Sequence, residues 1–553
     1  LSGNFKFSSS SPLVNVHDRS GFLPGLRSDW SSRILTLDWT VICTLAILIV
    51  LGFGLRLNRL DEIGLAEDEM NKLDAIQAYE RGDFSANSEH PMIMKMLMWG
   101  SLRSAPTNSQ EIALRLPNVL IGALTVIPIF LLTAVFFDRW TALLAAVFWA
   151  VGINAITHNR IGKEDSLLVF FMLFAFYFFV RAKQISPTQT RSRLNNYLAS
   201  AVSFGLMIAS KYFPHYLGLN MIFHHNFHVR TAVPGEPTGR TPGLFFMVIA
   251  LVFLVVSPAI LLPEVWLYLN EYMGERLLSH SGYLFAGRLY KNNMSSSPFW
   301  GTPVYFYVLF LMVKVPIMIL AGLIIGLAVS IKRRREVGYA FLLFMFFFWI
   351  VPYSLVGGKW LRYTLSVMPF VYMLAAVGVV ALVSWLTSQF PKWKHGPIVF
   401  SSMAVALFVL APAGIALANG PHYALYTNAF APEKAGFYFP HDEYYDDGLR
   451  EAIKYVCEQA PPGATIAHET PGVSRHYLEL YGRTDLNSHP ISATDFDLRN
   501  ASGPVYAIVQ RGRTYFENKD EIEYARTNFR KLHEVKVNES SAVEVFVNNA
   551  ERP

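Results

Sequence analysis

The chain has 553 residues, of which 52% are hydrophobic, 14% aromatic and only 16% charged, against the roughly 25% charged residues of soluble domains. That composition excludes an ordinary soluble enzyme, and unbroken apolar runs such as 167–180 and 243–263 exclude a β-barrel, whose strands alternate. The net charge of +6 is small for the length and its basic residues collect in short loops, which fits a topology signal and argues against nucleic-acid binding.

In chain order, 1–35 is rich in Ser, Gly and Pro and lacks the apolar core of a signal peptide, so a flexible cytoplasmic tail is expected. Apolar windows then place membrane helices near 37–55, 115–137, 140–157, 166–182, 196–210, 212–225, 243–263, 302–330, 338–356, 364–387 and 397–418. About eleven spans result, giving an α-helical polytopic membrane protein over 36–430. Basic clusters at Arg19, Arg27 and Arg33, at 181–193, at 332–335 and at 392–394 fall on one side of that count, which should be cytoplasmic. The loops 56–114, 158–165, 264–301 and 357–363, with everything beyond Gly420, then share the extracytoplasmic face of a plasma or inner membrane. Cys43 and Cys457 are the only cysteines, so neither a disulfide framework nor a thiolate metal site is available.

In the first outer loop Met70, Leu73, Ile76 and Tyr79 recur among charged neighbours between Ala66 and Arg81. The spacing predicts a helix, either flat at the membrane interface or packed on the outer ends of the bundle. From 431 onward a small α/β extracytoplasmic domain is expected. Helical periodicity covers Asp446–Gln459 and Lys519–Phe529, strand patterns cover Thr465–Glu469 and Val505–Gln510, and Leu532–Val537 with Ala542–Asn548 reads as a closing hairpin. This domain has no Gly-rich phosphate loop, which points to a cap, an acceptor guide or a scaffold.

The reactive residue types gather on the outer face. Glu67, Asp68 and Glu69 follow the first span, and Glu89-His90-Pro91-Met92-Ile93-Met94-Lys95 closes the same loop. Acids there suit a base or a cation ligand, since hard divalent ions take carboxylate oxygens; a solvated acidic loop is the simpler alternative. Arg160, Lys163, Glu164 and Asp165 stand at the head of the fourth span, where an acid is also favoured by the helix dipole. Lys314 lies well inside the eighth span, where a cation is costly unless it faces a polar cavity or an anion. Lys359, Arg362 and Tyr363 open the tenth.

Together these segments resemble the family 39-like polyprenyl-phosphate glycosyltransferases of the membrane-embedded C superfamily (GT-C). Protein O-mannosyltransferases carry an Asp-Glu pair followed by a His-Pro-Pro-x-x-Lys-Met-Leu-like stretch, matched here by Asp68-Glu69, His90-Pro91 and Lys95-Met96-Leu97. Bacterial lipid A aminoarabinose transferases have a Glu-Lys-Pro-Pro stretch where this chain has Glu89-His90-Pro91-Met92; the second proline is missing. The segment 160–167 resembles an Arg-x-x-x-x-Asp motif of both branches, and His280, Arg288 and Pro298-Phe299-Trp300 resemble a stretch whose histidine helps hold a cation.

The resemblance spans 37–430 and implies transfer of a sugar from a polyprenyl-phosphate carrier to an acceptor hydroxyl, usually with inversion. Asp68 would be the base, with Asp165 and Glu69 as further catalytic carboxylates. Arg288 and Arg362 would clamp the leaving phosphate, with Lys95, Arg160, Lys314, Lys359 and His90 in reserve. A divalent cation on Glu89 and His280 is a candidate cofactor; no nucleotide or organic cofactor is expected. Expected partners are the lipid-linked donor, a protein, lipid or glycan acceptor, and the bilayer. A lipid-linked sugar flippase is the alternative, although transporters commonly show repeats and none is visible.

Overall fold

The structure is a computed structural model that describes residues 38–186, 188–212, 243–273, 282–293 and 301–548. Six helices among them are long and apolar enough to cross a membrane: Trp39–Leu57, Gln110–Phe136, Asp165–Gln184, Val337–Leu355, Met368–Gln389 and Gly396–Asn419. Arg139–Val151 and Ile153–Asn159, bent by 53° at Gly152, make a seventh if the pair is one span. Glycine is required at the bend because a Cβ there would collide with the Tyr372 hydroxyl and the Phe148 carbonyl.

The expected count of eleven is not reached among the described residues, and the departures have local causes. The expected span 302–330 is two helices, Phe306–Lys314 and Ile317–Lys332, because Pro316 lacks the amide that would continue the first. The expected span 243–263 stops at Val256, where Pro258 opens a single 3-10 turn. The expected span 196–210 is the apolar end of a longer helix, Thr190–Ser210, whose first turns are polar. The expected span 212–225 lies outside the described residues except for Tyr212, as does the tail 1–35.

Helix ends follow side-chain chemistry. Asp38 accepts from the Val41 amide at 2.9 Å to start the first span, and Asp138 accepts from Trp140 at 2.9 Å and Thr141 at 3.1 Å to start Arg139–Val151, each satisfying amides that have no partner in the helix. In the core, Ile317–Lys332 and Met368–Gln389 approach closely because Gly326 lies on the Leu374 carbonyl and Gly378 on that of Gly322. Small residues bring helices together in membranes because no hydrophobic force drives them there.

The C-terminal region forms a five-stranded sheet from β3 (Thr465–His468), β4 (Asn487–Pro490), β5 (Val505–Gln510), β6 (Arg530–Val537) and β7 (Ser540–Val547), in the order β4-β3-β5-β7-β6. A separate hairpin pairs β1 (Tyr283–Phe285) with β2 (Arg288–Tyr290). In the larger sheet β3 runs parallel to both neighbours, and β5–β7–β6 is antiparallel. Strand β5 is buried along its whole length, as expected of a strand covered on both faces.

The helix Glu67–Glu80 is wedged between the two parts. Its Met70, Leu73 and Ile76 share one hydrophobic cluster with Met94, Met98 and Leu114 of the bundle and with Val473 and Tyr477 of the sheet domain. Of the two expected placements, the packed one is observed. Polar ties complete the seam: the Tyr477 hydroxyl accepts from the Leu65 amide at 2.7 Å, and Arg450 donates to the Glu62 carbonyl at 2.7 Å and to Glu111 at 3.2 Å.

Candidate active site

Three consecutive acids at the start of Glu67–Glu80 are turned about 100° apart by the helix, and each meets a different partner. Glu67 receives Arg513 of the sheet domain at 2.7 Å. Glu69 is completely buried and both its oxygens are bound by Arg115, at 2.8 and 2.6 Å; the amides of Gly162 (2.8 Å) and Ala66 (3.0 Å) also donate to it. With those partners Glu69 anchors the loop. Asp68, between them, faces a cluster of cations: Oδ2 pairs with Lys163, lies 3.6 Å from Arg362 Nη1 and accepts from the Tyr445 hydroxyl.

A second row of charge lies one helical turn on. Lys72 donates to the Asp68 carbonyl at 3.2 Å and pairs with Glu164 at 3.0 Å, and Glu164 lies 3.7 Å from His90 Nε2. Asp165 pairs through Oδ1 with Lys211 at 2.8 Å, while its Oδ2 and the Arg362 Nε are buried without a hydrogen-bond partner. Asp165 and Arg362 border a cavity that His158, Ile161, Lys163, Asp442 and Tyr445 also line. Unpaired polar atoms facing one cavity are what a polar ligand would satisfy.

Electrostatics keep Asp68 and Arg362 ionised. Burial would raise the Asp68 carboxyl, but Lys163, Arg362 and Lys72 outweigh it and hold it well below the usual carboxylate range. Burial likewise opposes the charge on Arg362, and Asp68 more than restores it. Lys163 is pushed down to about 8, first by burial and then by Arg362. Burial raises Asp442, against the hydrogen bond from Tyr283 and the charge of Arg362, and lowers His90 to about 4.

The other expected phosphate ligands have different partners. Lys95 donates to the carbonyls of Asn87 (2.6 Å) and His90 (3.0 Å). Arg160 donates to those of Arg56 (2.8 Å), Asn58 (2.7 Å) and Arg59 (3.2 Å), which close the first span. Lys359 donates to Thr302 (2.7 Å) and Val356 (2.5 Å). Lys314 pairs with Glu443 and donates to Ala424 and Tyr426, both at 3.0 Å. Arg288 is exposed on the small hairpin, its guanidinium 5.4 Å from the Tyr290 ring. Of the expected clamps, Arg362 alone shares the Asp68 cluster.

For a metal, Glu89 accepts from Asn87 at 3.1 Å and from the Tyr268 hydroxyl at 2.7 Å, and His280 lies outside the described residues. Among the described residues no group of three His, Cys, Asp or Glu is placed to hold an ion.

Four contributors were not assigned from the sequence. Lys163 stood inside the 160–167 motif, and Lys72 and Lys211 interrupt apolar patterns, a signal that intramembrane or interfacial cations are paired. Tyr445 carried no local signal: it reaches Asp68 across 377 positions.

Residues 89–262 match the family described as dolichyl-phosphate-mannose-protein mannosyltransferase. Over that segment the match agrees with the resemblance read from the motifs. The matched segment carries His90, Lys95, Lys163, Asp165 and Lys211. Among solved structures, ArnT from Cupriavidus metallidurans bound to undecaprenyl phosphate is similar at a TM-score of 0.49 and 14% identity, over 92% of this chain and 98% of that one. The Archaeoglobus fulgidus oligosaccharyltransferase tethered with an acceptor peptide gives 0.47 and 12%, over 85% and 69%. The S. cerevisiae protein O-mannosyltransferase Pmt1-Pmt2 complex bound to the sugar donor gives 0.31 and 22%, over 47% and 38%. A search of curated proteins finds no match.

Proposed function

We propose that the protein transfers a sugar from a polyprenyl-phosphate carrier to an acceptor hydroxyl, with inversion, on the extracytoplasmic face of the membrane. The observation that carries this reading is the Asp68 carboxylate, ionised, paired with Lys163 and 3.6 Å from Arg362, two cations that line a cavity and of which Arg362 keeps its Nε unpaired. A base for the acceptor and a cation for the departing phosphate are thus within reach of one reacting centre. The family match and the relatives' ligands, undecaprenyl phosphate and a sugar donor, support a lipid-linked donor.

In this mechanism Asp68 takes the acceptor proton as the hydroxyl attacks the anomeric carbon, acting through placement since its proton affinity is low. Arg362, Lys163 and Lys72 bear on the phosphate, whose charge grows as the glycosidic bond breaks and is stabilised most in the transition state. Asp165, with its unpaired Oδ2, is the second carboxylate available to a cationic sugar. The small sheet domain, 431–553, would cap the outer loop and guide the acceptor. Incubating the purified protein with labelled polyprenyl-phosphate sugars and a panel of hydroxyl acceptors, with and without chelator, tests this. Release of polyprenyl phosphate coupled to acceptor labelling is expected; no turnover with any donor would refute it.

A further inference from the structure

The carboxylate assigned as base does not stand open to an acceptor. Its Oδ2 already receives a hydroxyl, that of Tyr445, which arrives from the head of the sheet domain and lines the cavity beside Arg362 and Lys163. A hydroxyl donating to the base, next to the cations for the phosphate, has the geometry demanded of an acceptor before attack.

The turn that presents this hydroxyl is held against its own preference. Tyr445 has φ 43° and ψ 54°, Asp446 follows at φ 66°, and left-handed conformations are unfavourable for residues other than glycine. Such strain persists only where the surroundings over-determine it. Here Asp446 is fixed by Arg513 at 2.8 and 2.5 Å, by Gln510 at 2.9 Å and by the Glu67 amide at 3.0 Å. The last donor belongs to the residue directly before Asp68. One pinned turn therefore ties the base's own helix to the tyrosine that covers it.

We propose that the Tyr445 hydroxyl marks the acceptor subsite and fills it when no acceptor is bound, so that the incoming hydroxyl displaces it from Asp68 and water is kept from the donor until then. The inference rests on the transferase reading and deepens it: the acceptor is a hydroxyl delivered from the sheet-domain side. Excluding water from a reactive centre is a recognised use of such closure.

The test uses the full chain in nanodiscs with labelled polyprenyl-phosphate mannose and polyprenyl-phosphate aminoarabinose as donors, and methanol as a minimal hydroxyl acceptor. Wild type, Tyr445→Phe and Asp68→Asn are compared for free sugar and methyl glycoside. Tyr445→Phe keeps the ring and removes only the hydroxyl. It is expected to release several-fold more free sugar than wild type and to lower the apparent KM for methanol by about tenfold, as expected for removing one hydrogen bond to a charged group; Asp68→Asn is expected to give neither product. A purely structural tyrosine would lower both yields. Equal hydrolysis and equal KM in wild type and Tyr445→Phe, with Asp68→Asn silent, would overturn the inference and leave sugar transfer standing. Undiminished turnover by Asp68→Asn, or none by any protein, would overturn the transferase reading and this inference together.

Discussion

Lys163 and Lys359 are both buried lysines in loops that lead into membrane helices, yet one faces carboxylates and the other faces carbonyl oxygens. The same division runs through the molecule. Around Asp68, cations meet ionised acids beside a cavity, and some polar atoms stay unpaired. In the surrounding layer Lys95, Arg160 and Lys359 are bound by backbone carbonyls, and Lys314 by Glu443 and two carbonyls. A buried cation ringed by carbonyls closes loops and helix ends; one that shares an acid with other cations beside a cavity can exchange partners with a ligand. Residue type alone does not separate the two, because both layers need positive charge at the rim of an apolar bundle.

The division is most directly broken by Asp68→Asn. The amide keeps the shape but cannot take a proton, and loss of a positioned base costs about 100-fold to 10,000-fold in rate. Transfer should fall by that much while the thermal melting point in detergent holds; near-native turnover would remove Asp68 from the mechanism.

Lys314→Met tests the other layer. It leaves Glu443, fully buried, without its cation, and breaking a buried pair costs about 3–5 kcal/mol. A large drop in melting temperature is expected, with most of it recovered in Lys314→Met combined with Glu443→Gln. A stable single variant that had lost only catalysis would move Lys314 into the site.

Arg362→Gln sharpens the contrast from the catalytic side. Loss of one charge-assisted contact to the phosphate should cost about 2–4 kcal/mol, roughly 30-fold to 1000-fold in kcat. The companion Lys359→Gln should instead act on stability, since its ammonium bonds only carbonyls.

The fold was largely legible where a period or a breaker speaks locally. Met70, Leu73 and Ile76 announced the wedged helix, and Val505–Gln510 is the strand that its sequence predicted. Pro316 carried the break that the span estimate passed over, because hydropathy counts apolar residues and is blind to a missing amide. The helix Pro471–Leu480, the strand Asn487–Pro490 and the hairpin of β1 and β2 went unread: the strands are short, and the helix buries only part of its face. At the site Asp68 and Arg362 were expected from the family resemblance, but their partners were not. Which lysine reaches Asp68, and that a tyrosine from the sheet domain does so too, depends on contacts between segments distant in sequence, for which local pattern has no signal. Glu69 and Asp68 look alike as neighbours; only the helix rotation sends one to Arg115 and the other to Lys163 and Arg362.

The smallest effect probes the boundary between the layers through pH. Lys163 loses its proton at about 8 because burial and Arg362 disfavour its charge. As pH rises through that value the ammonium becomes a neutral amine, Asp68 loses a partner and the phosphate loses a cation, so kcat/KM, which reports the free enzyme, should fall about tenfold per pH unit above it. For stability the sign is opposite. The folded pKa lies below the ordinary lysine value of 10.5, so the folded state binds fewer protons than the unfolded one between about 8 and that value, and folding gains with pH there. An alkaline limb in rate without a matching loss of melting temperature therefore identifies Lys163 with the reacting layer. Lys163→Arg, whose guanidinium stays charged, should shift that limb upward; an unchanged limb would assign it to another group.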